Sequence, residues 1–183
     1  MALSQGAFER KSAIIVPVPD AERAVGDIRR LFDPSAAVGV PAHITLIHPF
    51  YPAPVPEETI HELEQFFASA VPIVLRFESV GRFSNTLYLE PTPAGSLIAL
   101  TEALAERWPQ WPPYSGEHRD IVPHLTVADQ LVDRARLETL AASVASRLPL
   151  STTVTEAWLI ESDPDGLWHG RSILPFRRDG APV

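Results

Sequence analysis

Residues 40–50 read V-P-A-H-I-T-L-I-H-P-F, and the fold turns on how the centre of this stretch, His43-Ile44-Thr45-Leu46, is taken. On a β-strand, residues two apart share a face, so His43 and Thr45 project together while Ile44 and Leu46 point into a core. A titratable imidazole and a hydroxyl then stand side by side on a rigid support. The pattern returns as His124-Leu125-Thr126-Val127, again behind a proline, Pro123. Two such strands facing one another across a cleft would form a nearly symmetric pocket of phosphate size. The chain has six histidines, and random placement would set a threonine two residues after one of them about 0.3 times, so the paired occurrence carries the hypothesis and a single copy would not.

Outward from these two motifs, short elements alternate. Ser12 to Val18 reads as a buried strand, with Asp20 as N-cap of a helix running to Phe32. Asp33 to Gly39 is a turn, and the first histidine strand begins at Val40. A proline-dense loop (Pro49, Pro52, Pro54, Pro56) cannot continue a ladder. Residues 57–70 read as a helix. Residues 72–80 and 86–90 form a hairpin across the turn 81–85, and residues 95–108 a third helix. A loop over 109–120 leads into the second histidine strand, 121–128. A helix over 133–148, a strand over 152–161, a turn at 163–166 and a last strand over 167–176 complete the order. Each histidine strand precedes a helix that leads to a hairpin, a weak internal repeat that predicts an α+β protein with two related halves.

Composition narrows the function. The chain has 183 residues, 45% of them apolar and 21% charged, the balance of an ordinary globular protein. Its net charge of -8 argues against coating DNA or long RNA, since proteins that neutralise many phosphates are basic. It contains no cysteine, which removes disulfides, thiolate nucleophiles and cysteine zinc sites. No histidine pair has the His-x-x-x-His spacing that places two metal ligands on one helix face, and no zinc site is expected. Residues 1–12 carry no signal-peptide pattern, no apolar run spans a membrane, and a cytoplasmic setting is expected.

With the stretches V-G-R-F-S-N-T-L-Y-L (80–89) and R-W-P-Q-W-P-P-Y-S-G (107–116) between them, the two motifs make the chain resemble the 2H phosphoesterase superfamily. More closely, it is similar to the bacterial 2′-5′ RNA ligase-like (LigT-like) members. The resemblance spans most of the sequence. It implies a bilobal α+β fold over residues 1–183, two antiparallel β-sheets flanking a central cleft, with helices outside and a pseudo-two-fold relation. It also implies that His43 and His124 are catalytic and that Thr45 and Thr126 hold the substrate phosphate. Members of the superfamily act on several RNA-end and cyclic-nucleotide substrates.

The chemistry of those residue types agrees. Hydrolysis of a 2′,3′-cyclic phosphate needs a base for water and an acid for the leaving ribose oxygen. Histidine, with an ordinary pKa of roughly 6.5, suits both roles. The hydroxyls would donate to the non-bridging oxygens. The expectation is a metal-independent phosphoesterase without a cofactor, a monomer acting on a small nucleotide or an RNA end that carries a cyclic phosphate. Reversible 2′-5′ RNA ligation and a non-catalytic phosphate-binding module stay open beside it. Arg82 with Phe83, and Tyr114 with Arg119, are further candidates, each pair able to offer a cation and an aromatic face to a nucleotide. His48, five residues after His43, is expected to face the other side of the same strand as a structural residue. Trp108 and Trp111 are expected to pack the loop against its helix.

Overall fold

The computed structural model describes residues 10–116 and 120–177. Its first half begins with β1 (Ser12–Pro17), α1 (Pro19–Phe32), the single turn α2 (Pro34–Ala37) and β2 (His43–Ile47). Then come α3 (Glu57–Phe67), β3 (Ile73–Arg82) and β4 (Leu87–Thr92). The second half has α4 (Gly95–Arg107), β5 (Leu125–Ala128), α5 (Arg134–Ala145), β6 (Leu150–Val154), β7 (Glu156–Ser162) and β8 (Trp168–Pro175). The strands form two four-stranded antiparallel sheets in the orders β2-β1-β7-β8 and β5-β4-β3-β6, each with a histidine motif on its edge strand.

The unit β1–α1–β2 in one sheet matches β4–α4–β5 in the other, so the two halves are related up to the histidine strands; the helix-to-hairpin step expected after them holds for α3 into β3 and β4, whereas β6, which follows α5, pairs with β3. The helices are exchanged: α1 packs on β5, and α4 packs on β2. One apolar core therefore runs through both halves, from Ile44 and Leu46 of β2 to Leu125 and Val127 of β5, with Phe67, Phe77 and Leu104 between. The β2 burial pattern alternates as expected, half-exposed at His43 and Thr45 and buried at Ile44 and Leu46. The same holds at His124, Leu125, Thr126 and Val127.

Local chemistry sets the element ends, and it differs from the sequence expectation at several. Asp20 is not the cap of α1. Pro19 opens that helix, Val18 is its N-cap without a side-chain bond, and Asp20 lies in the acidic first turn, where it accepts from Thr152 Oγ1 at 2.7 Å. Asp33 starts the extra turn α2, accepting from the Ser35 amide at 2.9 Å. The single strand expected over 152–161 is two. β6 belongs to one sheet and β7 to the other, and the chain crosses between them at Thr155. The crossing leaves a trace in the burial pattern, because Val154 and Ala157 face inward while Thr155 and Glu156 between them do not, a one-residue slip of the two-residue period. Trp108 lies in the core against Phe50 and against Phe66 of α3, and Trp111 packs on Tyr51, so the rings meet the proline-dense loop and α3, where the sequence expectation had the loop packed on its own helix.

Candidate functional site

His43 is the first residue of β2, paired with Pro17, whereas His124 stands just before β5 begins at Leu125. The two rings are held by the same local device. His43 Nδ1 lies 2.8 Å from the carbonyl oxygen of Pro41, and His124 Nδ1 lies 2.7 Å from that of Val122, each two residues upstream. A carbonyl only accepts, so Nδ1 must carry the proton, and each neutral ring is left with Nε2 as a bare lone pair. Two distant pieces of sequence have thus fixed the same tautomer with the same geometry.

A buried arginine that nothing in its local sequence singles out ties the two motifs together. Arg29 on α1 is only 1% exposed. Its Nε donates to the carbonyl of Thr126 at 3.1 Å and to Asp33 Oδ2, and its terminal nitrogens reach Asp33, Glu22, Ser35 Oγ and the carbonyl of Val40. Glu22 in turn accepts from the amide of Ala42 at 2.8 Å, next to His43. The planar fork of arginine suits this role because it satisfies several acceptors at fixed angles. The signal available in the sequence was weak: an arginine on the core side of an amphipathic helix, four residues before an aspartate.

Both imidazoles are harder to protonate than a free histidine. Burial disfavours the cation at His43, pushing its pKa down to about 4; the Pro41 carbonyl opposes this, the Arg29 charge adds to it, the Asp33 carboxylate works against it, and His124 adds a little more. The strands that carry the two motifs, β2 and β5, are themselves in contact. His124 is likewise lowered by burial, against the Val122 carbonyl and the charge of Asp129.

A cavity of about 640 Å³ opens on the face of the first sheet. His43 and Thr45 line it, with Ala13, Ile15 and Ile160 as an apolar floor and Trp168 and Tyr114 among its walls. His124 and Thr126 are not part of its lining. Tyr114 makes the link, because its ring lines the cavity and also stacks on His124 at 6.4 Å and 18°. The backbone of Tyr114 is left-handed (φ 52°), a conformation that costs a residue with a Cβ roughly 1–2 kcal/mol. On the second lobe the corresponding space is filled: Phe83 stacks on Tyr88 at 4.5 Å, and both rings meet His124 edge-on at 5.1 and 5.5 Å. Gly81 allows this, since a Cβ there would lie 2.2 Å from the Tyr88 ring.

Of the sequence candidates, then, His43, Thr45, His124, Thr126, Phe83 and Tyr114 are brought to one region. Arg82 is not. It is the last residue of β3 rather than part of the turn, and its side chain reaches α5, where Glu138 engages its guanidinium with two bonds. Arg119 lies outside the described residues. His48 corrects the sequence expectation. β2 ends at Ile47, so strand alternation does not reach His48, and its ring lines the same cavity as His43, set against Trp168 at 5.7 Å. Among the described residues, no three His, Asp or Glu side chains gather as metal ligands, and no helix is long and apolar enough to cross a membrane.

Comparison with known proteins agrees with the fold. Residues 16–166 match the family model of the 2′-5′ RNA ligase superfamily. A Bacillus pumilus (strain SAFR-032) protein named "Putative phosphoesterase" is 28% identical over 160 residues, covering 85% of this chain and 90% of its own length. Among solved structures, apo E. coli LigT superposes with a TM-score of 0.61 at 18% identity, covering 93% of this chain and 99% of LigT. LigT complexed with 3′-AMP gives 0.59 over the same shares. The Thermus thermophilus protein TT0787 gives 0.58 at 18% identity, covering 92% and 99%.

Proposed function

Because this chain belongs to the 2′-5′ RNA ligase superfamily, we propose that it is a phosphoesterase that hydrolyses a 2′,3′-cyclic phosphate, on a small nucleotide or at an RNA end, with His43 and His124 as its acid–base pair. The observation that carries this is the matched pair of rings, each tied through Nδ1 to a carbonyl and each presenting Nε2. E. coli LigT has been crystallised with 3′-AMP and with phosphate, ligands of the class such a site would hold.

In the proposed reaction, water attacks phosphorus from the side opposite the departing ribose oxygen. One imidazole takes the water proton through Nε2 as the new P–O bond forms. The other, entering as imidazolium, gives its Nε2 proton to the ribose oxygen as the old P–O bond breaks. Solvent exchange then resets both rings. The Thr45 and Thr126 hydroxyls donate to the non-bridging oxygens, where charge accumulates. His43 is assigned as the base, since its stronger depression keeps it neutral, and His124 as the acid. No step calls on a metal ion.

The acidic balance of the chain, -8 overall, favours this over ligation of long RNA halves, which would need a wide cationic footprint. The test is turnover of a panel of 2′,3′-cyclic nucleotides and short RNAs with cyclic ends, in the presence of a strong chelator. The profile of kcat/KM against pH follows from the two depressed pKa values. The base His43 becomes neutral as pH rises through about 4. The acid His124 loses its proton as pH rises through a value held below the ordinary 6.5. Activity is therefore expected to form a bell whose top lies on the acid side of neutrality. An optimum well above pH 7, or a strict need for a divalent ion, would contradict the scheme.

A further inference from the structure

The cavity does not end at the histidine motif. Along β1 the residues of one face are Ala13 and Ile15, and the next position of that face before the strand is Lys11, which also lines the cavity. Thr45 pairs with Ile15, so Lys11 stands four residues, about 13 Å at strand rise, from the hydroxyl motif. Its backbone is fixed: the Lys11 amide donates to Ser162 Oγ at 2.8 Å, and its carbonyl accepts from the Ser162 amide at 2.8 Å. His48 lines the same end, close enough to feel the Lys11 charge.

Lys11 is the sole lysine in a chain whose other fourteen basic residues are arginines. Arg10, its neighbour, is taken up by Glu161 and the Ser162 carbonyl. Lys11 itself has no ion-pair partner among the described residues, and neither does it pair with Asp165, the carboxylate on the same lining. An unpaired ammonium at one end of an apolar trough, in an acidic protein, is a feature that attracts an anion. Among the described residues, the rings of Phe83 and Tyr88 stand beside His124, on the other sheet from the trough.

Building on the function proposed above, we propose that Lys11, with His48 beside it, forms a second anion subsite. It takes the 5′-phosphoryl group of a nucleotide whose 2′,3′ phosphate lies at His43 and Thr45, with the nucleoside spanning the apolar floor against Trp168. The 5′ group is either a terminal phosphate or the diester to a preceding nucleotide, and the chemistry recognised is the same.

Equilibrium binding tests this without turnover. Adenosine 3′,5′-bisphosphate and a dinucleotide ending in a 3′-phosphate are each compared with adenosine 3′-monophosphate, on the wild-type protein and on Lys11→Met. At least one of the two is expected to bind the wild type about tenfold tighter than the monophosphate, the scale of one charge-assisted contact. Lys11→Met is expected to abolish that preference. A preference for the bisphosphate alone identifies a terminal phosphate, and for the dinucleotide alone a diester. No preference in the wild type, or one that survives in Lys11→Met, overturns the subsite. Hydrolysis of cyclic nucleotides, assayed separately, reports on the proposed activity, so the two failures are distinct.

Discussion

Replacing His43 by alanine is expected to lower turnover of a 2′,3′-cyclic nucleotide by about 100-fold or more, and replacing His124 by as much, the scale on which a general acid or base contributes. Both rings are only half buried, and the apolar neighbours Ile44 and Leu125 carry the packing, so neither substitution should cost the fold. Because the two imidazoles serve one step, the double variant should fall little further than either single one. The assay is single-substrate kinetics on purified variants, with circular dichroism to confirm folding. Undiminished turnover in either single variant would remove that ring from the chemistry.

Arg29→Met is expected to have the largest effect on stability, lowering it by about 3–5 kcal/mol, the usual cost of stripping one partner from a buried ion pair. Asp33, 4% exposed, would lose its cation, and the carbonyls of Val40 and Thr126 would lose a donor. For a chain of this length the melting temperature should drop by roughly 10 °C. Turnover of the folded fraction should fall too, since those two carbonyls lie just before the first motif and within the second. Arg29→Lys keeps the charge but not the fork, and should recover only part of the loss. Thermal melting of the three proteins checks this, and an unchanged midpoint in Arg29→Met would contradict the role assigned to the hub.

What could be read in the sequence was local. The period-two alternation at His43-Ile44-Thr45-Leu46 and its copy at His124 is a property of four consecutive residues, so the faces followed directly and the structure has them. The order of elements gave the α+β class and the two related halves. What escaped depends on partners far along the chain. Arg29 reads as one more polar residue of an amphipathic helix until Thr126, 97 residues away, supplies its acceptor. Arg82 looked available because nothing near it announces Glu138. His48 was assigned by extending alternation past the last residue of β2, where the rule no longer applies. The sheet change at Thr155 was written in the slip of inward positions, but a run rich in β-formers conceals it. Lys11 lay in what reads as a polar lead-in, and only the sheet places it beside Ala13 and Ile15 in the cavity.

The claim on which all of this rests is that both imidazoles address one phosphate. Nitrogen-detected NMR of the histidine side chains, followed as 3′-AMP is added, measures it. The Nε2 resonances of His43 and His124 are expected to move together, with one apparent dissociation constant, and to shift toward the protonated form as the anion offsets the cost of burial. Movement of one ring alone, or of neither, would contradict the account.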